Sequence, residues 1–308
     1  MELKNKQAFG ALLICIAATL WGLDGIVLTP RLYNLDTQLV VFMLHAIPFL
    51  LFNIFLFKEY KTIKKFTRYD ILYFLLLSLF GGALGTLAIV KALFLVNFQH
   101  LTVVILLQKL QPVFAIALAS ILLKEKLHAK FVFWGIVAIT GGYFLTFGTH
   151  LPNFDTDSNT ILAALYSILA AISFGSSTVF SKKLLKKFDF KTTAFYRYGF
   201  TSIIMLIIVL INGKLAMVPD ITNMNWLIFS IIALTSGSGA ILLYNYGLNN
   251  VKAMVATICE LCFPISAIIF DYFVNGKMIS PVQWISAIIM IIAIIRLNKT
   301  GSKINLQK

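Results

Sequence analysis

The chain has 308 residues, of which 59% are hydrophobic and only 12% are charged. Because a soluble domain carries about 25% charged residues, this composition excludes a soluble globular protein and indicates an integral helical membrane protein. The net charge of +14 would suit a nucleic-acid partner only if the basic residues shared one surface, and their distribution along the chain argues against that.

Apolar segments of about 20 residues, the length that crosses a bilayer core of ~30 Å, recur along the whole chain. The predicted fold class is therefore an all-α integral membrane protein. Interrupting the sequence at its polar and charged stretches predicts ten transmembrane helices, at residues 9–29, 37–57, 71–93, 101–123, 131–147, 160–181, 192–211, 226–247, 253–273 and 280–297.

Lysine and arginine residues are concentrated in alternate connecting segments. If the N-terminus is cytoplasmic, 20 of the 26 basic residues are cytoplasmic, three are on the outer side and three lie within spans. This bias follows the positive-inside rule and predicts that both termini are cytoplasmic. The expected location is the cell membrane, a bacterial inner or plasma membrane, with basic loops against anionic lipid and no nucleic-acid partner.

The sequence also contains an internal repeat. An outer loop at residues 148–159 divides the chain into residues 1–150 and 151–308, each with five predicted spans. Trp21-Gly22 corresponds to Phe174-Gly175, and "QKLQP" at 108–112 corresponds to "ELCFP" at 260–264, an offset of 152. Because five is odd, the halves enter the membrane in opposite senses, which predicts the inverted repeat of many secondary transporters.

Three stretches carry a family resemblance: "ATLWGLDGI" in span 1, "KALFLVNFQHLTVVILLQKLQPVFAIALASILLKEKL" across spans 3 and 4, and "FWGIVAITGGYFL" in span 5. In order and spacing they resemble the drug/metabolite transporter superfamily, EamA type. The resemblance covers residues 9–297. It implies a metabolite or drug exporter of two five-helix repeats, with a cavity between helices 1–4 and 6–9 and helices 5 and 10 more peripheral. The family's glutamate at the cytoplasmic end of span 4 is Glu125, whereas the corresponding second-half position is Lys277.

Ionisable residues within the spans point to a candidate site. Each costs roughly 2.5–3.5 kcal/mol at a helix centre, so such residues are expected to face the bundle interior or a watery cavity. At ~1.5 Å of rise per residue, Asp24, His45, Lys109 and Glu260 fall near the midplane, where transporter sites lie. Arg197 falls near the inner surface and is interpreted as an interface anchor between two tyrosines.

Two prolines single out a pair of polar residues. A proline clashes with the carbonyl four residues earlier, which is that of Gln108 for Pro112 and that of Glu260 for Pro264. The sequence therefore predicts two kinked helices that face one cavity. Three interpretations of Glu260 remain open: contact with a substrate amine or a proton, a structural ion pair with Lys109, or a neutral packed side chain.

The other candidates also have two interpretations each. Trp21 and Asp24 share a helix face, and an aromatic plate beside an acid suits an organic cation or an amino acid's ammonium. Alternatively, Asp24 pairs with Lys91 or Arg31. Lys109 neutralises an acid or receives a substrate carboxylate.

Three further positions complete the candidates. His45 relays protons or is a hydrogen-bonded buried histidine. Tyr244 brings a polar group towards the cytoplasmic end of span 8, as a cavity group or in packing. Span 6 carries Ser173, Ser177 and Ser181 at a spacing of four residues, with Thr178 nearby, which indicates close helix packing or a cavity wall. The predicted substrate-binding set is Trp21, Asp24, His45, Gln108, Lys109, Tyr244 and Glu260.

The sequence lacks a P-loop and other hydrolase motifs, so no enzyme activity is expected. No cofactor or metal site is expected either, since Cys259 and Cys262 lack further ligands. The leading hypothesis is a secondary active transporter of amino acid or amine-like solutes, working by alternating access, with efflux as its direction, protons as a coupling ion and a homodimer as a candidate assembly. The alternatives are a flippase, a membrane-embedded enzyme or an accessory subunit for lipid-linked substrates.

Overall fold

A computed structural model of the protein describes residues 2–96, 104, 107–126, 128–149, 158–276 and 278–304. All regular secondary structure in these residues is helical, which confirms the all-α fold class. The α-helices are α1 (Glu2–Leu23), α2 (Thr37–Phe55), α3 (Arg68–Ser78), α4 (Gly85–Leu95), α5 (Gln111–Leu122), α6 (Ala129–Phe147), α7 (Ser158–Leu184), α8 (Phe190–Ile211), α9 (Asn223–Ile232), α10 (Ser238–Asn250), α11 (Ala253–Cys259), α12 (Cys262–Asn275) and α13 (Pro281–Ile304).

Seven helical stretches of the described chain are long and apolar enough to cross a membrane: Asn5–Leu32, Thr37–Phe55, Arg68–Leu95, Ser158–Leu184, Phe190–Ile211, Asn223–Asn250 and Ala253–Asn275. Shorter apolar helices lie within predicted spans 4, 5 and 10, at Gln111–Leu122, Ala129–Leu145 and Pro281–Leu297. Much of the first half of predicted span 4 lies outside the described residues. The count of ten and the cytoplasmic termini therefore stay predictions.

Side-chain caps define where several helices begin. The Asp36 carboxylate accepts from the backbone N–H groups of Gln38 and Leu39 at 2.9 and 3.4 Å, at the start of α2. Thr67 and Asp70 form a reciprocal capping box at the start of α3. These caps satisfy backbone donors that have no partner within the helix. The sequence therefore sets the ends of the spans with local hydrogen bonds as well as with polarity.

Three spans contain wider, π-helical turns. These lie at Asp24–Leu28 after α1, at Leu79–Leu84 between α3 and α4, and at Ala233–Gly237 between α9 and α10. The second and third occupy corresponding places in the two halves. Such turns are rare in proteins overall but often occur at functional sites. These three turns are therefore candidate functional positions within the spans.

The predicted kinks are present in both halves. A turn at Lys109 and Leu110 precedes α5, and a turn at Glu260 and Leu261 separates α11 from α12. The Glu260 carbonyl is not left free, because it accepts from the N–H of Phe263 at 2.9 Å. Each proline therefore displaces the helical bond into a tighter turn.

Helix packing follows the same pattern in the two halves. Helix α1 packs on α10 and α12, and α7 packs on the corresponding helices α4 and α5. Helices α6 and α13 pack on each other, and α2 packs on α8. The same set of contacts results when the halves are exchanged.

Two glycines lie at equivalent helix crossings in the two halves. A Cβ atom on Gly22 would lie 2.9 Å from the Phe263 oxygen and 3.0 Å from the Ala267 nitrogen. On Gly175 it would lie 2.8 Å from the Gln111 oxygen and 3.0 Å from the Ala115 nitrogen. Both contacted residues differ by 152 positions between the halves. Only glycine allows these helix backbones to approach so closely.

Two charged side chains hold the connection between α10 and α11. The Glu125 carboxylate accepts from the N–H groups of Ala253 and Met254 at 2.9 and 3.1 Å. Lys182 Nζ donates to the carbonyls of Leu248 and Asn249 at 2.7 and 3.0 Å. An acid at a helix N-terminus and a base at a helix C-terminus both complement the helix dipole.

Candidate functional site

The carboxylate of Glu260 points into the bundle. Tyr244 of α10 donates its hydroxyl to Oε1 at 2.7 Å, and Thr178 of α7 donates to the same oxygen at 3.3 Å. Gln111 of α5 donates its amide to Oε2. Partners from three other helices place the carboxylate inside the protein, while the residue remains partly accessible. This is the position expected for an acid that borders an internal cavity.

Lys109 does not form the ion pair with Glu260 that the sequence offered as an alternative. Its side chain is buried, and Nζ donates to the Gly142 carbonyl on α6 at 2.6 Å. Because α6 packs on α13 rather than on the Glu260 cluster, the ammonium lies on a different side of the kinked helix. The structural salt bridge is therefore replaced by neutral donors to Glu260.

Gln111, rather than Gln108, is the glutamine that contacts Glu260. Gln108 is partly buried one turn earlier, beside the break that precedes α5. The proline rule selects the residue four positions before Pro112, but the side chain that reaches the carboxylate directly precedes that proline. The helix breaks at Lys109 and Leu110, between the two glutamines, so spacing along a regular helix could not have identified Gln111.

Asp24 is held by hydroxyl groups. Thr29 Oγ1 donates to Oδ1 and Ser236 Oγ donates to Oδ2, both at 2.8 Å. Thus the carboxylate is hydrogen-bonded to neutral groups, and the pairing with Lys91 or Arg31 that the sequence offered is not the arrangement observed. Ser236 lies in the π-helical turn of the second half, and no motif in the sequence indicated its contact with Asp24.

Trp21 connects the two carboxylate clusters. Its indole Nε1 donates to the Ser236 carbonyl at 2.9 Å, and its ring centroid lies 5.3 Å from that of Tyr244. Trp21 therefore touches one residue that bonds Asp24 and one that bonds Glu260. The four side chains form a continuous strip of aromatic and acidic groups, which we call the Trp21–Glu260 strip (Trp21, Asp24, Tyr244 and Glu260).

His45 is a buried histidine with a backbone partner. Its Nδ1 lies 2.9 Å from the Val41 carbonyl, and its ring packs on Tyr198 with centroids 5.5 Å apart. This is the structural alternative that the sequence left open. No described hydrogen bond joins His45 to the Trp21–Glu260 strip, so the structure does not bring it together with the two acids.

Arg197 is buried inside the bundle, and its depth near the inner interface, flanked by Tyr196 and Tyr198 as anchors, stays a prediction. Its Nη2 donates to the Gly81 carbonyl at 2.8 Å, in the π-helical turn of the first half. Ser78 donates to the Arg197 carbonyl at 3.1 Å. The depth of Arg197 along its helix could not show that its guanidinium contacts the Gly81 carbonyl.

Within the described ranges, no group of three histidine, cysteine, aspartate or glutamate side chains is arranged to hold a metal ion. The site instead offers an aromatic surface and two carboxylates held by hydroxyl and amide donors. Such groups can bind a planar solute with polar edges, because a substrate donor can replace a protein donor on a carboxylate.

Comparison with known proteins decides the family. The sequence model of the EamA-like transporter family matches residues 8–148 and 161–298. The chain belongs to this family. It is therefore a multi-pass membrane transporter of the drug/metabolite transporter superfamily and not an enzyme, as the sequence resemblance implied.

The EamA-like chain is also similar to a named relative. It is 58% identical over 291 residues to the riboflavin transporter ImpX of Fusobacterium nucleatum subsp. nucleatum (strain ATCC 23726 / VPI 4351), and the match covers 94% of this chain and 97% of the relative. A protein crystal structure matches with a TM-score of 0.72 at 12% identity, over 95% of this chain and 98% of that chain. This second likeness concerns the fold alone.

Proposed function

We propose that this EamA-like protein transports riboflavin, or a closely related flavin, across the cell membrane. The observation that carries the proposal is the 58% identity, over nearly the whole chain, to a riboflavin transporter. The proposal replaces the amino acid or amine that the acids in the sequence suggested. The reason for the replacement lies in how those acids are bonded.

Both carboxylates of the Trp21–Glu260 strip accept hydrogen bonds from neutral groups. Glu260 accepts from a tyrosine, a threonine and a glutamine, and Asp24 accepts from a threonine and a serine. A substrate ammonium is therefore not needed to satisfy either acid. A neutral solute with hydroxyl or N–H donors can exchange with these groups and avoid the cost of an unsatisfied buried acceptor.

The chemistry of riboflavin fits this surface. The molecule combines a flat tricyclic isoalloxazine ring with a polyhydroxylated ribityl chain, and the ring carries an N–H between two carbonyl groups. Trp21 and Tyr244 offer adjacent aromatic faces for the ring. Glu260 and Gln111 offer an acceptor and an amide for its polar edge, while Asp24 offers an acceptor for hydroxyl groups.

We further propose that transport proceeds by alternating access between two inverted halves, residues 1–150 and 151–308. The equivalent packing of Gly22 and Gly175, the paired helix breaks and the two family matches support this arrangement. Repeats of this kind rock against each other around a central site. Glu260 is the candidate for proton coupling, because intramembrane acids serve as proton relays in transporters.

The test measures binding and movement of flavin by the full chain. Riboflavin fluorescence should fall when the flavin stacks on the protein in detergent, and unlabelled riboflavin should compete while amino acids and amines should not. Labelled riboflavin should enter protein-containing vesicles faster than empty vesicles. Binding of an amine with no response to flavin would contradict the substrate, and movement of a lipid-linked substrate alone would favour the flippase.

A further inference from the structure

A basic pocket lies between α3 and α7, apart from the Trp21–Glu260 strip. Its volume is about 320 Å³. Tyrosines from α3 and lysines from the end of α7 and the residues after it line the pocket, which we call the α3–α7 pocket: Tyr69, Asp70, Tyr73, Lys183, Lys186 and Lys187.

The residues next to the pocket are typical of a membrane surface. Helix α3 begins at Arg68, directly after the 3₁₀ segment Phe57–Lys65. That segment exposes Phe57, Tyr60 and Ile63 between its lysines. Exposed aromatic residues among basic ones are typical of a membrane–water interface. The excess of lysine on this side of the chain assigns it to the cytoplasmic leaflet, which carries the anionic lipids.

The charges in the pocket favour an anion. Lys187 pairs with Asp70, so the single acid of the lining is already neutralised. Lys183 is half-buried, with Nζ 5.9 Å from the ring centroid of Tyr73, and Lys186 is exposed beside it. In the part of the chain that the structure describes, neither of these two lysines forms an ion pair. Their charges therefore remain available to a phosphate.

The surface above the pocket is apolar. Leu72 and Leu75 follow Tyr69 along α3, and Leu79 begins the π-helical turn after it; the three leucines are exposed by 49%, 40% and 40%. Their spacing of three and four residues places them on one side of the helix. A free phosphate would leave this surface uncovered, whereas an acyl chain would cover it. A basic pocket next to an apolar helix surface therefore favours a lipid over a free phosphate.

We propose that the α3–α7 pocket binds an anionic phospholipid of the cytoplasmic leaflet. The phosphodiester lies against Lys183 and Lys186, the tyrosines flank the headgroup, and an acyl chain follows Leu72 and Leu75. Phosphatidylglycerol and cardiolipin carry the required charge, whereas phosphatidylethanolamine has no net charge. This site is independent of the transported solute.

The test is native mass spectrometry of the full chain in mild detergent, with phosphatidylglycerol, cardiolipin or phosphatidylethanolamine added at equal concentration. The anionic lipids should be retained preferentially. The double variant Lys183→Gln/Lys186→Gln should lower their retention about ten-fold, since each basic residue near the surface contributes appreciably to binding. This variant keeps the Lys187–Asp70 pair, which protects folding.

The matched control is Lys61→Gln/Lys64→Gln, which removes the same charge from exposed positions of the neighbouring segment. It should leave lipid retention within two-fold of the unmodified chain. Equal losses of lipid retention in both variants would show that retention depends on general surface charge, and would overturn the proposal. Inorganic phosphate and water-soluble glycerophosphoglycerol should compete weakly, and competition as strong as that of the intact lipid would overturn the role of the acyl chain.

Discussion

The two kinked helices share their packing but differ in their chemistry. In the first half, α5 approaches Gly175 of α7, and in the second half, α12 approaches Gly22 of α1, with matching distances. At the kink itself, Gln108 occupies the position that Glu260 occupies 152 residues later. The packing of the helices therefore repeats between the halves, whereas the carboxylate at the kink is present in only one of them.

The largest expected effect comes from removing this difference. Glu260→Gln places an amide at both kinks and weakens hydrogen bonds to a charged acceptor, each worth about 1.5–3 kcal/mol. Flavin transport should fall roughly ten- to a hundred-fold, as measured by uptake of labelled riboflavin. Gln108→Ala is the control and should lower transport less than three-fold. Equal losses in the two variants would show that the halves contribute alike.

A second experiment tests the shared packing. A Cβ on Gly22 or Gly175 meets backbone atoms at 3.0 Å or less, so Gly22→Ala and Gly175→Ala should each destabilise the protein by about 1–3 kcal/mol through overpacking. Thermal unfolding in detergent should show similar losses for both.

Gly135→Ala is the matched control for these variants, because a Cβ there meets nothing within 4 Å. It should leave stability unchanged or raise it by up to about 1 kcal/mol, through the higher helix propensity of alanine. If only one of the two crossing glycines proved sensitive, the packing of the halves would not be equivalent.

A smaller effect is expected from changing the aromatic part of the Trp21–Glu260 strip. Trp21 and Phe174 precede the two crossing glycines, but only Trp21 reaches Tyr244 and Ser236. Trp21→Ala should weaken flavin binding roughly three- to ten-fold, in line with about 0.5–1.5 kcal/mol for an aromatic pair. The measurement is a fluorescence titration with riboflavin. Phe174→Ala is the control, and an equal loss there would count against a flavin on Trp21.

A change at Glu125 tests a helix cap. Its carboxylate caps α11, and Lys277, its counterpart by sequence, lies outside the described residues. Glu125→Ala should lower thermal stability by about 0.5–2 kcal/mol, the usual cost of a lost helix cap. Glu125→Gln should recover part of this loss, since one acceptor oxygen remains. A larger loss in Glu125→Gln than in Glu125→Ala would contradict the capping role.

The sequence was sufficient for the main features of the fold and for the position of one acid. Apolar length predicted the membrane helices, and the prolines predicted both breaks. The cost of burying a charge predicted that Glu260 faces inwards. These inferences succeed because each depends on residues that are neighbours along one helix.

Contacts between side chains of different helices could not be predicted from the sequence. Gln111 and Glu260 are separated by 149 residues, and Trp21 and Ser236 by 215. The rotation of each helix about its own axis decides such partners, and no periodic pattern fixes this rotation for a helix that is apolar all round. For the same reason the sequence could not show that Thr178 contacts Glu260 or that Arg197 contacts Gly81.

The wide π-helical turns have a mechanical consequence. In each half, a carbonyl of one such turn accepts a hydrogen bond from a side chain of the other half. Arg197 donates to the Gly81 carbonyl, and Trp21 donates to the Ser236 carbonyl. A ligand that moves the Trp21 indole must break its hydrogen bond to the Ser236 carbonyl. If the solute contacts Trp21 as proposed, its binding is coupled to loosening of the span Asn223–Asn250 at this turn.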